Sequence, residues 1–294
     1  MADSSRPRLF VTGSTGGLGR LVIRELLKRV PAGSIVAGVR STRHDVARQF
    51  AAQGVEVRVA DYTRPDTLSA AFEGIDRLLL ISSSAMGGRT AQHGNAIEAA
   101  KAAGVGLLAY TSLLHADASP LGLGEEHRRT EALLKASGLP IVLLRHGWYT
   151  ENHLASVPPA LQYGAVLGSA GEGRFSTATR ADFAEAAAVV LTTDGHAGRV
   201  YELAGDESYT LADLAAAIAA ASGRPVVYKD MPKADFKGAL VGMGLPEDVA
   251  ELVADSDAAA STGGLEDNGR QLSALIGRPT TPWRQTVEQA VAAT

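Results

Sequence analysis

The sequence predicts an α/β protein: a doubly wound parallel sheet followed by a smaller α/β C-terminal domain. Three observations carry this. Apolar strand-like runs alternate with amphipathic helix-like segments from Leu9 to Gly147. The strand runs are short and near-continuously apolar, as expected where helices cover both faces of a parallel sheet. The first strand enters the first helix through three glycines, Gly13, Gly16 and Gly19.

The elements follow in order. R-L-F-V-T-G is the first strand, and Leu18, Leu21, Val22 and Leu26 then recur at helical spacing on one stripe. Ser34 to Val39 is the second strand, and the helix from Val46 to Gln53 stops at Gly54. The third run, V-E-V-R-V-A-D, alternates and ends at Asp61. Pro65 in a first turn and Asp66 at the positive end of the helix dipole start the next helix, which Gly74 ends. R-L-L-L-I-S follows, then a helix centred on G-N-A-I-E-A-A-K-A-A-G and a strand from Leu107 to Ser112. A helix over E-E-H-R-R-T-E-A-L-L-K-A-S-G leads to the sixth strand, Ile141 to Gly147.

After Tyr149 the rhythm changes. A polar loop, G-S-A-G-E-G-R-F-S-T-A-T-R, precedes a helix from Ala181 to Leu191, the strand V-Y-E-L-A-G, a helix from Leu211 to Ser222, the strand V-V-Y-K-D and further helical segments. The expected division is a dinucleotide-binding domain over residues 1–150 and a smaller, mostly helical substrate-side domain over residues 151–294.

Composition excludes several classes of function. The 294 residues are 46% hydrophobic and 20% charged, which is globular rather than disordered. A net charge of -4 leaves no electrostatic footprint for nucleic acid or an anionic membrane. The absence of cysteine removes disulfides, thiolate catalysis and cysteine-ligated metals. The polar opening M-A-D-S-S-R-P-R lacks the apolar core of a secretory signal, and no apolar run approaches the roughly 18–20 residues of a membrane helix. A cytoplasmic protein is expected. The seven histidines show no metal-ligand spacing, so no metal is expected, and His115 and His127 read as exposed residues flanking a loop.

A strand running into a helix through glycines is a phosphate cradle. One glycine permits the tight turn, the next allows close backbone approach, and the last lets helix and strand pack. The helix N-terminus supplies N–H groups and partial positive charge for a pyrophosphate. The spacing here is G-x-x-G-x-x-G, within a Rossmann-type series of βα units. The second strand ends in Arg40 with no acid before Asp45, which favours the 2′-phosphate of NADPH over the bare ribose of NADH. Arg43 reads as a solvated cation, and Asp61 as either an adenine contact or a cap. The carboxyl ends of the strands nominate Ser82, Ser83 and Ser84, then Thr111 and Ser112, then H-G-W-Y-T-E-N.

These residues resemble the NmrA-like atypical short-chain dehydrogenases, and among them the bacterial NADPH-dependent quinone oxidoreductases. The likeness runs nearly to the C-terminus through V-T-G-S-T-G-G-L-G, I-S-S-S-A-M-G-G-R-T-A-Q-H-G-N, A-Y-T-S-L-L-H-A-D-A-S-P-L-G-L, L-L-R-H-G-W-Y-T-E-N, V-Y-E-L-A-G-D and D-S-D-A-A-A-S-T-G-G-L. The resemblance implies cofactor contacts from Gly13, Ser14, Thr15, Gly16, Gly17 and Leu18, from Arg40, from Ser82 to Ser84, and from His146, Gly147, Trp148, Tyr149, Thr150 and Glu151. It also implies a cleft between two domains with Asn152 beside the nicotinamide, in contact with the quinone. Where the family commonly shows Asn, this chain has His146, which leaves the side-chain role there open.

The ketone-reducing Tyr-x-x-x-Lys relay is missing: Tyr110 is followed four residues on by Leu114, and Tyr149 by His153. Quinone reduction needs less. The hydroquinone anion is delocalised, so the protein has chiefly to hold ring and nicotinamide together and offer a donor to the quinone oxygen. Asn152 is the candidate catalytic donor, beside its plainer reading as a loop or cap amide. Trp148 and Tyr149 are either walls of the ring pocket or core packing. Arg180 and Asp182 read as structural. The expected partner is a small-molecule quinone, with neither flavin nor metal. Related proteins reduce triphenylmethane dyes by the same hydride logic, and some NmrA-like proteins only sense NADP. The oligomeric state is not readable, and a homodimer stays open.

Overall fold

The computed structural model describes residues 6–85 and 87–294; the polar opening of the chain and Met86 of the S-S-S-A-M stretch lie outside them. The chain begins with β1 (Leu9–Val11), α1 (Gly17–Leu27), β2 (Ile35–Val39), α2 (Asp45–Ala52), β3 (Glu56–Val59), α3 (Pro65–Phe72) and β4 (Arg77–Leu80). It continues through α4 (Arg89–Ala102), β5 (Leu107–Leu113), α5 (Gly124–Ala136), β6 (Ile141–His146), α6 (Thr150–Leu154), α7 (Val157–Tyr163) and β7 (Ala165–Gly168). Next come β8 (Arg174–Phe175), α8 (Arg180–Thr192), β9 (Val200–Leu203), β10 (Tyr209–Thr210), α9 (Leu211–Ser222) and β11 (Val227–Asp230). Four helices close the chain: α10 (Lys233–Gly242), α11 (Glu247–Ala260), α12 (Gln271–Ile276) and α13 (Trp283–Ala292).

The main sheet has seven strands in the order β3-β2-β1-β4-β5-β6-β9. Strand β1 lies between β2 and β4, parallel to both, so the order reverses there and opens the crevice that such sheets use for ligands. The strand V-Y-E-L enters this sheet as β9 beside β6: Leu143 donates to Arg199 O and Gly147 to Leu203 O, an in-step progression that makes the pair parallel. Burial follows position. Strands β1, β2 and β5 are buried throughout, whereas the edge strand β3, E-V-R-V, is half-exposed and lacks the continuous apolar run of the others.

Local chemistry sets the helix ends. Pro65 occupies the first turn of α3, and Gly54, Gly74 and Gly223 stand at positive φ where α2, α3 and α9 stop. Thr210 and Asp213 form a reciprocal capping box on α9. Helix α4 begins at Arg89, a turn earlier than its apolar segment suggests.

Two compact units divide the chain. The first takes the chain to Leu113, Glu126–Arg145 and Phe183–Tyr201; the second takes Leu114–Glu125, His146–Asp182 and Glu202–Thr294. The core of the first packs Phe10 edge-on against Phe72 at 5.0 Å, with Val36, Leu68, Leu78 and Tyr110 around them. The second contains a parallel pair β7–β11 and an antiparallel pair β8–β10. Among the described residues no helix is long and apolar enough to cross a membrane.

Candidate active site

In the first unit, the chain leaves β1 through Gly13 at φ +58°, a conformation that favours glycine. The turn is closed by Gly16 N–H on Gly13 O at 2.9 Å, and Ser14 is fixed by its hydroxyl on Val11 O at 2.6 Å. At Gly19 a Cβ would lie 2.4 Å from Gly13 O and 2.7 Å from Ser14 Cα, so only glycine lets α1 approach the loop this closely. No side chain caps the N-terminus of α1. Its first-turn N–H groups and dipole therefore remain available for an anion, which the cradle of Gly13, Ser14, Thr15, Gly16, Gly17 and Leu18 fits.

Arg40 follows β2 and is exposed. It lies near enough to Asp61 to help hold that carboxyl below the ordinary range, behind the larger effect of the Thr63 hydrogen bonds. Asp61 thus caps its own turn, accepting Thr63 N–H at 2.9 Å.

Ser82 and Ser83 after β4 are held by Thr111, which the strand ends nominate, and by His93 and Arg89, which sequence reasoning did not single out. Ser82 N–H donates to Thr111 Oγ1 at 2.8 Å, and Ser83 N–H to His93 Nε2 at 2.9 Å. Arg89 Nε reaches Ser83 O at 2.7 Å, while its Nη1 pairs with Glu126 at 2.8 Å. Thr130 donates to Glu126 O, so His93 Nδ1–H donates to Thr130 Oγ1 at 3.0 Å and Nε2 is left as the acceptor for Ser83. Burial pushes the His93 pKa down to about 3, which keeps that tautomer neutral. His127, expected exposed, is buried: on α5 it turns toward the sheet and its Nδ1 meets Tyr110 Oη at 2.8 Å. His115 is half-buried, at φ +52°.

Ser112, at the end of β5, donates to Glu131 Oε1 at 2.7 Å. Arg145 on β6 grips the same carboxylate with Nε at 2.9 Å and Nη2 at 2.8 Å. Burial alone would raise the Glu131 pKa, but the hydrogen bonds from Arg145 and Ser112 outweigh it and lower it.

In the second unit, His146 is buried with Nδ1 3.3 Å from Tyr149 Oη, and burial lowers its pKa to about 3. The segment that follows, up to the start of α6, makes a single parallel bridge from Tyr149 to Ala178. Gly147 donates to Leu203 O at 2.7 Å, Ala178 to Trp148 O at 3.2 Å, and Thr150 to Ala178 O at 2.9 Å. A Cβ on Gly147 would meet Leu203 O at 3.2 Å. Trp148 and Tyr149 are half-buried.

Arg180 organises what comes next. Its backbone N–H donates to Glu151 Oε1 at 2.9 Å, its guanidinium carbon lies 4.4 Å from the centroid of the Tyr149 ring, and its Nη2 donates to Asn152 Oδ1 at 2.9 Å. Arginine can only donate, so Asn152 Oδ1 is the acceptor and its Nδ2 donors point elsewhere. Asn152 also lines a cavity of about 560 Å³ within this unit. Asp182, fully buried, is held by Arg278 at 2.7 Å and by the Thr281 N–H at 3.1 Å, the structural part expected of it. A second opening of about 610 Å³ lies in the first unit at Arg77, Gly106 and Leu107, the amino ends of β4 and β5, which is the wrong edge for ligands of such sheets. Among the described residues no three His, Asp or Glu side chains cluster to hold a metal.

The switch point at β1 and the glycine cradle define a dinucleotide-binding protein. Residues 13–194 match the NAD(P)H-binding family, and the chain belongs to it. Over 279 residues it is 53% identical to quinone oxidoreductase 2 of Escherichia coli K12, covering 95% of this chain and 97% of that protein. The crystal structure of the NADPH-dependent quinone oxidoreductase from Escherichia coli in complex with NADPH superposes with a TM-score of 0.93, covering 96% of this chain and 99% of that one. Triphenylmethane reductase of Citrobacter sp., solved with NADP(H), is 38% identical with a TM-score of 0.92, covering 96% and 99%. The resemblance to the NmrA-like reductases, read first from motifs, is thereby established.

Proposed function

We propose that this protein is an NADPH-dependent quinone oxidoreductase. The observation that carries the reading is the Asn152 amide, its oxygen occupied by Arg180 and its donors left for a ligand. The near full-length likeness to an NADPH-dependent quinone oxidoreductase supports it.

NADPH, when bound, supplies a hydride. Residues Gly13 to Leu18 bind its pyrophosphate through backbone N–H groups, and Arg40 binds the 2′-phosphate. Ser82 to Ser84, the first two held by Thr111, His93 and Arg89, and the segment from His146 to Glu151 complete the cofactor contacts. Asn152 Nδ2 donates to the quinone oxygen as negative charge develops there. Trp148 and Tyr149 wall the ring, and Arg180 holds both Tyr149 and Asn152 in place. The reaction uses neither flavin nor metal, and the protein acts on its quinone in the cytoplasm.

Reduction of a cationic conjugated dye is the second reading, favoured by the 38% identity to triphenylmethane reductase. NADPH oxidation by flavin-free, chelator-treated protein, measured against benzoquinones, naphthoquinones and cationic dyes, tests both. Quinone-dependent turnover supports the first reading. Turnover with dyes alone moves the assignment to the second. Tight NADP binding with no turnover on any acceptor contradicts both and leaves a sensor.

A further inference from the structure

The cavity that Asn152 lines is mostly apolar, with walls that include Val166, Leu167, Leu214, Phe236, Leu240 and Val253. Against these walls stands one buried carboxyl, Asp257 on α11, only 5% exposed. Its Oδ2 accepts the Ser169 N–H at 3.0 Å. Among the described residues no cation forms an ion pair with it. The seat depends on Gly168, where a Cβ would come within 2.8 Å of Asp257 Oδ2 and 2.5 Å of Leu211. The backbone is thus shaped to press a carboxyl into an apolar chamber that also holds the Asn152 amide.

An unpaired carboxyl in such a place is costly as an anion and useful as an acid. We propose that Asp257 is the general acid of this enzyme, protonating the reduced acceptor inside the cavity. The proposal rests on the quinone reading above. Hydride transfer from NADPH leaves NADP⁺ and a hydroquinone monoanion. The Asp257 O–H bond then breaks, its proton forms the missing phenolic O–H, and the carboxylate regains a proton from water. The net reaction converts NADPH, quinone and one proton into NADP⁺ and hydroquinone.

The protonation state agrees with the role. Burial pushes the Asp257 pKa up to about 7, against the Ser169 hydrogen bond and with the charge of Asp230 adding to the rise. Other titratable groups stand around it. Strand β11 contributes Tyr228, raised by burial, together with Lys229 and Asp230. Helix α6 contributes His153, held down at about 4 by burial, and α7 contributes Tyr163. Lys233 of α10 is engaged by Asp255 at 2.9 Å and Glu251 at 3.0 Å. Strand β7 and helix α9 present Val166, Leu167, Leu211 and Leu214 to the cavity.

The test is quinone reduction at saturating NADPH by wild type and Asp257→Asn, from about pH 5 to about pH 9. Wild-type kcat falls as pH rises through about 7. The variant is slower by about tenfold or more below that break and loses the break, with NADPH affinity retained. A triarylmethane dye takes up hydride to give a neutral product and needs no proton, so its rate falls far less. Equal losses on both acceptors, or a flat wild-type profile, overturn the proposal. A second readout needs neither turnover nor a variant: the infrared difference spectra of cofactor-free wild-type protein between about pH 5 and about pH 9 show a protonated carboxyl band that titrates near 7. A band already lost by about pH 5 overturns the assignment even if the variant fails to fold. Failure of wild type to oxidise NADPH with any quinone contradicts the quinone reading itself, and the infrared titration distinguishes that outcome.

Discussion

Arg180 Nη2 lies 2.9 Å from Asn152 Oδ1, and this one contact decides which way the Asn152 amide faces. A guanidinium has no acceptor, so the amide nitrogen is turned away from Arg180. Removing the donor amide in Asn152→Ala lowers kcat/KM for quinone by about 100-fold or more, the scale of one lost donor to developing charge. NADPH affinity is nearly unchanged. Arg180→Ala produces a smaller loss, and in the Asn152→Ala background it adds little. Steady-state kinetics on the double-mutant cycle checks this, because a merely structural Arg180 would give additive losses.

Arg40 follows β2 and is exposed, and it is the residue proposed to bind the 2′-phosphate. Arg40→Ala weakens NADPH binding by about 10-fold or more, the scale of one charge-assisted contact, and leaves NADH binding within about twofold. Fluorescence titration with each cofactor reads the ratio, and equal losses contradict the assignment.

The pair Glu131–Arg145 is buried on both sides, with the two side chains 3% and 5% exposed. Arg145→Leu leaves the Glu131 carboxylate, which also accepts the Ser112 hydroxyl, without its bidentate partner. Urea unfolding should show a loss of about 3–5 kcal/mol, as for breaking one side of a buried pair. A loss under about 1 kcal/mol, the range of an exposed pair, would show that water replaces the guanidinium there.

The pH dependence of stability has opposing parts. His93, His146 and His153 are buried neutral, with pKa values near 3, 3 and 4 against 6.5 for a free imidazole. Below about 6.5 the unfolded chain binds protons that these three do not, so stability falls with falling pH. Asp257 acts the other way: its folded pKa of about 7 lies above 3.8, so it costs stability as pH rises between those values. Three groups outweigh one, and the fold is more stable above about pH 6.5 than near pH 4.5. Asp257→Asn steepens the acid limb by about 1.4 kcal/mol per pH unit, measurable in urea midpoints.

Much of this was legible in the sequence because it is local. Glycines at positive φ, Pro65 in a first turn and the Thr210–Asp213 capping box act within a few residues, and they mark α2, α3 and α9 where the pattern puts them. The glycine cradle needs only Gly13, Gly16 and Gly19. Strand V-Y-E-L was readable as a strand, yet its place beside β6 depends on pairing across more than fifty residues, which no local pattern encodes. His127 sits in a run so rich in charge that its buried face does not show, and its partner Tyr110 comes from another element. Asp257 hides in D-S-D-A-A-A as one acid among five in α11. Only the fold brings it to the lining that Asn152 shares.

Direct hydride transfer from nicotinamide to quinone is tested most directly by a single turnover. Flavin-free protein loaded with NADPH carrying deuterium on one or the other face of C4 is mixed with a benzoquinone, and the loss of near-ultraviolet absorbance is followed. The proposed direct transfer predicts oxidation without added flavin and a primary isotope effect from one face only. No oxidation until flavin is supplied would contradict the account.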